Sequence, residues 1–270
     1  MRARKVLRFV LALMALLCVI AAVWFGYSYY RTLEEYKRGN ADLNSLYEKM
    51  GGIPAPMDPK AEAAMDGKEL EAVREQAERI RLESYRKLAE ENSDVIGWVR
   101  IQGTVVDYPV MHTPDKPDYY LKRGFDQEYS AYGMVYLDGA CRIGEGCPNY
   151  LLYGHHMKNG SMFASLEGYA EKEYYKAHPF IGFDTLEEIA DYEVAGAFKI
   201  GAGEINREFA KMLAARTEED YNRLVAYMKE NRFYDTGIVP EWPQQLITLT
   251  TCEYTEGDGR FLVLARRMEK

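Results

Sequence analysis

The sequence predicts a mostly β fold with added helices, closed into a β-barrel and preceded by one transmembrane helix. Many short β-branched or aromatic runs, separated by turn residues, follow residue 93, and few helical patterns interrupt them. A single long apolar run lies near the N-terminus. With 270 residues and 47% hydrophobic content, the chain can bury a full core, so we expect one main domain with appendages. A net charge of -8 without a basic stripe argues against nucleic acid as a partner.

The apolar run at residues 9–25 contains 17 apolar or small residues, and the two residues after it extend it to a length that crosses a bilayer. Basic residues precede it and an aromatic cluster follows it, as expected of a helix whose N-terminus stays in the cytoplasm. The alternative is a cleaved signal peptide, but large aromatics follow the alanine pair at 21–22, where cleavage requires small residues. We therefore predict a cytoplasmic segment at 1–8, a signal-anchor in the cell membrane at 9–29, and an extracellular remainder.

The next part of the chain, residues 30–68, is rich in charge and contains a proline-rich break at 53–59. Proline interrupts a helix, so this part is predicted to be a stalk or linker. Apolar residues recur at helical spacing over 69–92, which predicts an N-terminal helix packed on the domain. These apolar positions are Leu70, Val73, Ala77, Ile80, Tyr85 and Leu88. Charges on the opposite face of this helix are interpreted as a solvated surface.

The main domain is predicted at residues 93–270. Its strand-like runs are residues 95–101, 105–110, 150–153, 180–183, 191–200, 247–251 and 261–264. Helical segments are predicted between these strands near 161–166 and 217–231. Thr217 and the acidic residues after it have the pattern of a helix N-cap. Short strands with few helices are typical of a closed barrel decorated by helices.

A candidate reactive centre lies near the C-terminus, where a β-branched run ends at Cys252 and Arg260 follows after a Gly-Asp-Gly turn. A nucleophilic cysteine needs an acid or base partner and a group that holds developing negative charge. His155 is the candidate for the first role and Arg260 for the second. Each residue alone also has an ordinary interpretation: a buried apolar cysteine, a solvated arginine, and a surface or core histidine.

Two motifs in combination resemble the sortase transpeptidases. Residues 249–252 (LTTC), followed by a short loop, Arg260 and an apolar strand, resemble the catalytic signature of that family. Residues 151–157 (LLYGHHM) resemble the histidine segment of its class B branch. Residues 95–138 are similar to the start of the sortase barrel. The resemblance covers roughly residues 94–267 and implies a sortase-like barrel with a helical insertion before the strand of Cys252.

The resemblance also implies a mechanism. Cys252 would attack a peptide carbonyl and form a thioester, while His155 gives a proton to the leaving amine. Arg260 would hold the substrate backbone and the oxyanion. An amine then resolves the thioester, which makes the reaction a transpeptidation. Thr250 and Glu253 flank the nucleophile, at positions that line the substrate groove in class B sortases.

The implied substrate is the C-terminal sorting signal of a surface protein in a Gram-positive bacterium. The implied acceptor is an amine of the peptidoglycan cross-bridge or of a pilin, and the sequence does not choose between wall anchoring and pilus assembly. Some sortases use calcium, but no compact acidic cluster in the sequence supports such a site. We therefore expect neither a metal nor a cofactor.

The other cysteines are sorted by their place in the sequence. Cys18 lies in the apolar run, where packing is its simplest role and lipidation the alternative. Cys141 and Cys147 flank a short loop, and outside the cytoplasm they can pair. The sequence leaves the pairing open, and we take a disulfide as the working prediction. A zinc site is the weaker alternative, since no second cysteine or histidine pair lies nearby in the sequence. Cys252 has no evident partner, as a nucleophile requires.

The four histidines are sorted in the same way. His155 directly follows the glycine of its motif, which is the catalytic position in the family pattern. Neighbouring side chains on an extended segment face opposite sides, so His156 is predicted to be a support or surface residue. His112 and His178 adjoin no motif and are predicted to be structural or surface residues.

Two other function classes stay open at this point. In a papain-like hydrolase the cysteine usually precedes its histidine in the chain, whereas here His155 comes before Cys252. An inactive membrane-tethered binding domain would have the barrel without the activity. Labelling of Cys252 by a thiol-reactive probe, dependent on His155, would separate an enzyme from such a domain.

Overall fold

A computed structural model describes residues 2–49, 65–144, 146–253 and 259–269. The chain divides into two compact units, Met1–Ser45 and Leu46–Lys270. Helix α1 (Arg2–Lys49) accounts for the first unit, and within it Leu13–Arg31 is long and apolar enough to cross a membrane, with a mean hydropathy of 1.7 and none of it buried. The helix continues into the first part of the predicted stalk, whereas the proline-rich break at 53–59 lies outside the described residues.

The second unit contains the remaining described elements. Its strands are β1 (Val95–Arg100), β2 (Asp107–Met111), β3 (Val135–Leu137), β4 (Asn149–Tyr153), β5 (Phe180–Thr185), β6 (Asp191–Ile200), β7 (Leu246–Glu253) and β8 (Gly259–Arg267). Its α-helices are α2 (Gly67–Glu91), α3 (Lys172–Ala177), α4 (Arg207–Ala214) and α5 (Glu218–Asn231). Short 3-10 helices are η1 (Tyr119–Lys122), η2 (Ala164–Ala170) and η3 (Ala202–Glu204).

The strands close into a barrel in the order β1-β2-β3-β4-β7-β8-β6-β5. The pairs β2–β3 and β4–β7 are parallel, and the other pairs are antiparallel. Each of these eight described strands is paired on both sides, so closure protects the sheet from pairing with other chains. The predicted closed barrel with added helices is therefore confirmed.

The predicted strand-like runs all overlap observed strands, but the short elements differ from expectation. Strand β3 has three residues, too few to show an alternating pattern. The helical segment expected at 161–166 is observed slightly later in the chain, as η2. The predicted cap of α5 is confirmed, because the Thr217 hydroxyl accepts a hydrogen bond from the backbone N–H of Asp220 at 3.1 Å.

Elements η3, α4 and α5 form a helical insertion between β6 and β7, as the sequence predicts. Apolar side chains of α4 and α5, such as Phe209 and Leu224, pack with Leu262 and Leu264 of β8 in one buried group, here called the insertion cluster. Burying a leucine contributes roughly 1.5–3 kcal/mol, so this cluster holds the insertion on the sheet. The insertion thereby covers the part of the sheet beside the C-terminal strands.

A second buried group, here called the α2 cluster, joins α2 and η1 to the barrel. Tyr85 of α2 stacks on Trp98 of β1 with ring centroids 5.7 Å apart, and Tyr120 of η1 belongs to the same group. Helix α2 begins at a cap, because the Asp66 carboxylate accepts from the backbone N–H of Glu69 at 2.8 Å. Its predicted apolar stripe is therefore used at its C-terminal end, where Leu88 is also buried.

A buried carboxylate ties α2 to the sheet below this aromatic stack. Asp184 of β5 is fully buried, accepts a hydrogen bond from the Tyr85 hydroxyl at 2.9 Å and pairs with the Arg100 guanidinium. Arg81 of α2 lies 3.9 Å from the same carboxylate. Burial, and next the Asp184 charge, raise the pKa of Tyr85, so its hydroxyl remains a hydrogen-bond donor. The negative charge of Asp184 is thus balanced by two arginines, Arg100 and Arg81.

Cys141 and Cys147 form a disulfide in the loop between β3 and β4, with their Cα atoms 5.5 Å apart. The working prediction from the sequence is confirmed. The loop also contacts neighbouring elements, since the Gln245 side chain donates to the Cys147 carbonyl at 2.7 Å and Arg216 donates to the Ala140 carbonyl at 2.6 Å. Cys18 is unbonded and exposed.

Replacing Cys141 and Cys147 by serine is expected to lower the free energy of unfolding, because the disulfide reduces the entropy of the unfolded chain. The loss should be only about 2 kcal/mol, since the closed loop is short. Peptide turnover should stay near wild type. Urea unfolding of the double variant, with wild type before and after reduction, measures the change. Intact mass must show the wild type gaining two hydrogens on reduction; an unchanged mass would contradict the bond.

Candidate active site

The predicted catalytic residues lie at one end of three neighbouring strands. Strand β7 ends at Glu253 and pairs with β4 on one side and with β8 on the other. Cys252 is opposite Arg260 in the antiparallel β7–β8 pair. For Cys252 and Glu253 the structure describes the backbone alone, and the turn at 257–258 lies outside the described residues.

The parallel pair of β4 and β7 brings His155 to the same level. Tyr153 is opposite Thr250, so positions two residues further along the two parallel chains are His155 and Cys252. The backbone N–H of Gly154 donates to the Thr250 carbonyl at 3.2 Å, which continues this alignment past the end of β4. Neighbouring strands are roughly 4.8 Å apart, so the backbones of the two residues are held close. Sequence positions about a hundred residues apart thus meet at one barrel end.

The segment that carries His155 is held on both sides. The His155 carbonyl accepts from the backbone N–H of Phe163 at 2.9 Å, and His156 forms an isolated bridge with Met162. Gly154 lies against the Phe163 ring, where a Cβ atom at 154 would come within 2.6 Å of ring carbons. A glycine at 154 therefore lets the segment pack closely enough for His155 to follow the strand.

The His155 imidazole makes a short contact with the backbone of η1. Its Nε2 atom lies 2.6 Å from the carbonyl oxygen of Leu121, and the residue is half-buried. The adjacent His156 is turned elsewhere, with its Nε2 atom 3.6 Å from a carboxylate oxygen of Glu167. The two imidazoles therefore lie in different surroundings.

Arg260 is half-buried, and its Nη1 atom donates to the Gly259 carbonyl at 2.9 Å. The guanidinium therefore stays at the end of β8, near the level of Cys252. Thr250 lies two residues before Cys252 on β7, so it is on the same face of the strand. It is buried, and it is opposite Tyr153 of β4 and Leu262 of β8. The structure thus brings together the backbones of all five predicted site residues, with side-chain detail for His155, Thr250 and Arg260.

Tyr153 packs against both apolar clusters beside this site, the insertion cluster and the α2 cluster. Its hydroxyl donates to the Asp138 carboxylate at 3.3 Å. Burial, and next the Asp138 charge, raise the pKa of Tyr153, so it is a neutral phenol at physiological pH. The sheet surface at Tyr153 and Thr250 therefore lies between the insertion on one side and η1 on the other.

A depression of about 240 Å³ opens beside η1 and shares Leu121 with the His155 contact. It is lined by Asp118, Tyr119, Leu121, Lys122, Arg123 and Tyr129. The Arg123 guanidinium lies over the Tyr119 ring, 4.8 Å from its centroid. A group bound in the depression would lie next to the residue that contacts His155.

The other two histidines, His112 and His178, lie in different surroundings from His155. His178 has its Nδ1 atom 2.8 Å from the Gln102 carbonyl. Burial, and next the Arg142 charge, lower the pKa of His112. Both residues fit the structural role predicted for them. Within the described part of the chain, no group of three or more histidine, cysteine or carboxylate side chains could hold a metal ion.

Comparison with known proteins decides the family. Residues 99–268, well over half of the chain, match the family model of the sortase domain. The chain belongs to the sortase family. Its enzyme class is therefore that of a cysteine transpeptidase, and the sortase barrel excludes the papain-like hydrolase considered from the sequence.

Among sortases, the chain is most similar to class B. Sortase B of Staphylococcus aureus strain NCTC 8325 is 27% identical over 260 residues, which are 95% of this chain and 96% of that protein. Sortase B of Listeria monocytogenes is 29% identical over 197 residues, 70% of this chain and 75% of the relative. The fold of the Staphylococcus aureus sortase B–substrate complex matches with a TM-score of 0.68, at 24% identity, over 87% of this chain and 99% of that one.

The sequence did not indicate the Leu121 contact with His155. A backbone carbonyl is present at every residue, so the side chain at 121 gives no signal of this role. The buried Asp184 pair was missed for a related reason, because a single aspartate in a strand does not reveal its burial. Gly133 is the position where the sequence carries a signal, since an isolated glycine in a strand-like run can mark a bulge or the close approach of another backbone.

Proposed function

We propose that the chain is a membrane-anchored sortase that cleaves the C-terminal sorting signal of surface proteins through a thioester at Cys252. The acyl group is then transferred to an amine of the cell wall or of a pilin. The observation that supports this most directly is the common level of His155, Cys252 and Arg260 at the end of β4, β7 and β8. A nucleophile, a proton carrier and a fixed cation at one level are what acyl transfer requires.

In the first half of the reaction, the Cys252 thiolate attacks the carbonyl carbon of the scissile peptide bond. The carbon–nitrogen bond breaks, and the leaving amine takes a proton from the His155 imidazolium. In the second half, an acceptor amine attacks the thioester carbonyl and the carbon–sulfur bond breaks. Cys252 leaves as a thiolate and His155 recovers the proton from the acceptor nitrogen, so the site returns to its starting state.

Arg260 is proposed to hold the oxyanion and the substrate backbone. Its guanidinium is always charged and presents several donors in a plane, which suits a carbonyl oxygen on which negative charge develops. Nη1 already donates to a backbone carbonyl at its own strand end, a hydrogen bond of the kind that substrate binding requires. When the substrate binds, the Arg260 guanidinium would direct some of its donors to the substrate carbonyl oxygen.

Thr250 and Glu253 are proposed to contact the sorting signal on the β7 side of the groove. Thr250 lies two residues before Cys252 on β7, so the two positions face the same side of the strand. The solved structures of the Staphylococcus aureus sortase B–substrate complex and of a sortase B complexed with triglycine are similar to this chain in fold. They support a peptide substrate and a peptide amine as the two ligands of this chain.

The membrane anchor is proposed at residues 9–29, supported by the apolar part of α1. The stalk at 30–68, the N-terminal helix at 69–92 and the catalytic domain at 93–270 would then lie outside the cell. Fractionation compares the full chain with a variant lacking residues 1–30. The full chain should sediment with membranes and the variant should not; a variant that remains with the membranes would contradict this anchor.

The test of the function is product analysis on a library of sorting-signal peptides. In the presence of an amine such as triglycine, a transpeptidase cleaves the peptide and joins its acyl part to that amine in a new amide bond. Cys252→Ala serves as the blank. Hydrolysis at the same rate with and without every amine tested would contradict transfer. The same library gives the sorting motif, and comparison of triglycine with a lysine-containing pilin peptide separates wall anchoring from pilus assembly.

A further inference from the structure

The contact between His155 and Leu121 determines which imidazole nitrogen bears a proton. The Leu121 carbonyl oxygen can only accept a hydrogen bond, and His155 Nε2 lies 2.6 Å from it. Nε2 must therefore be the donor in this contact, in the neutral as well as the charged ring. In the neutral ring the second nitrogen, Nδ1, is then unprotonated and able to take a proton.

The carbonyl is held in place by the polar groups around the preceding residue of η1. The buried Tyr120 hydroxyl donates to the Asp94 carboxylate at 2.8 Å and accepts from the Asn92 amide at 2.8 Å. Burial raises the pKa of Tyr120, which keeps the hydroxyl protonated as a donor. The backbone carbonyl of Tyr120 also accepts from the N–H of Met134 at 3.0 Å. Residue 121 therefore follows a turn that is fixed at its side chain and its backbone.

Gly133 leaves the space that the carbonyl needs. Its backbone has a φ of 57°, and a Cβ atom there would lie 2.5 Å from the Leu121 oxygen and 2.6 Å from the Tyr120 oxygen. Such distances are well inside van der Waals contact, so a larger residue would push the η1 carbonyls away. The position of the Leu121 oxygen depends on the absence of a side chain at 133.

We propose that the Leu121 carbonyl, held by Tyr120 and Gly133, positions His155 as the tautomer with its proton on Nε2, so that Nδ1 exchanges protons with the substrate amines. This inference rests on the proposed function. In the first half-reaction the imidazolium gives its Nδ1 proton to the leaving amine and becomes the tautomer that Leu121 selects. In the second half-reaction Nδ1 takes a proton from the acceptor amine. Nε2 keeps its proton throughout, so the ring need not turn or change tautomer between the two steps.

The tautomer can be read from nitrogen NMR of the full-length protein in detergent, labelled with 15N at the histidine rings. His155→Gln identifies the His155 signals by their disappearance. His178 is an internal reference for the opposite tautomer, because its Nδ1 atom lies 2.8 Å from the Gln102 carbonyl and must donate there. At a pH where both rings are neutral, we expect a protonated Nε2 in His155 and a protonated Nδ1 in His178. A protonated Nδ1 in neutral His155 would overturn the inference.

Gly133→Ala tests the positioning role. We expect a mixture of His155 tautomers and a fall in kcat of up to about a hundredfold, since a displacement of roughly 1 Å at a catalytic group can have that effect. KM for the peptide should change little. Gly237→Ala is the matched control, because Gly237 has a φ of 81° with no atom near the position of a Cβ. The control introduces similar backbone strain and should leave the His155 tautomer and kcat unchanged.

Tyr120→Phe is the second variant, in case Gly133→Ala does not fold. It removes only the hydroxyl that links Asn92 and Asp94, and we expect a smaller change of tautomer and kcat in the same direction. A folded Gly133→Ala or Tyr120→Phe protein with a mixed tautomer but wild-type kcat would overturn the inference, and so would a lowered kcat with an unchanged tautomer. If His155 shows the expected tautomer but no amine transfer occurs, the proposed function fails instead.

Discussion

Arg260→Lys is expected to lower the turnover of peptide cleavage by about a hundred- to a thousandfold, the effect of losing one oxyanion donor, or roughly 2.7–4 kcal/mol. Lysine keeps the positive charge but lacks the planar fork that donates to two acceptors at once. The guanidinium lies at the end of β8 opposite Cys252, where it already donates to a backbone carbonyl. If the charge alone mattered, the lysine variant would be nearly as active as wild type.

Cleavage and amine transfer should be measured for wild type, Arg260→Lys and the Cys252→Ala blank on one sorting-signal peptide. Arg266→Lys is the matched control, since Arg266 lies further along β8 and pairs with Glu193 at 2.9 Å. That variant should keep its turnover. Thermal unfolding of each protein separates a loss of chemistry from a loss of folding. Near-wild-type turnover in a folded Arg260→Lys protein would remove Arg260 from the catalytic site and leave a cysteine–histidine pair.

Asp184→Asn is expected to lower the free energy of unfolding by about 3–5 kcal/mol, because it removes one partner of a buried ion pair and leaves the Arg100 charge without its counterion. The carboxylate is fully buried, whereas the Arg100 side chain is 21% exposed. The substitution also weakens the hydrogen bond from Tyr85, so the attachment of α2 to β5 should loosen as well. The catalytic strands are not part of this pair, so turnover of the folded variant should change little.

Urea unfolding followed by tryptophan fluorescence measures this effect, since Trp98 is buried against Tyr85. Glu83→Gln is the matched control on α2, because its partner Arg79 is 3.9 Å away and both side chains are largely exposed. An exposed pair of this kind contributes about 0–1 kcal/mol. Equal destabilisation by Asp184→Asn and Glu83→Gln would show that burial does not strengthen the Asp184 pair.

Much of the fold could be predicted because its signals are local. The strand-like run at 191–200 and the helix at 217–231, with its cap at Thr217, were both predicted and are both present in the structure. The apolar run in α1 has the length of a membrane span for the same reason, since its composition alone sets its hydropathy. Strand β3 and the 3-10 helices η1 and η3 were not predictable, because three or four residues contain too little of any period.

The same distinction between local signals and long-range contacts applies to the candidate site. Cys252, His155 and Arg260 were predicted from side-chain chemistry and from two motifs, both of which are properties of the linear sequence. Their common level depends on the register of β4 with β7 and of β7 with β8, which the hydrogen bonds of the closed barrel determine.

The sequence by itself determined the residue types that can perform acyl transfer, the number and place of most strands, and the apolar N-terminal helix. Only the tertiary structure decided that a backbone carbonyl of η1 contacts the His155 ring, and that the buried Asp184 carboxylate pairs with Arg100 and accepts a hydrogen bond from Tyr85 of α2. Both depend on atoms brought together from distant parts of the chain. A carbonyl has no side-chain identity, and the burial of a charge is set by the elements that pack around it.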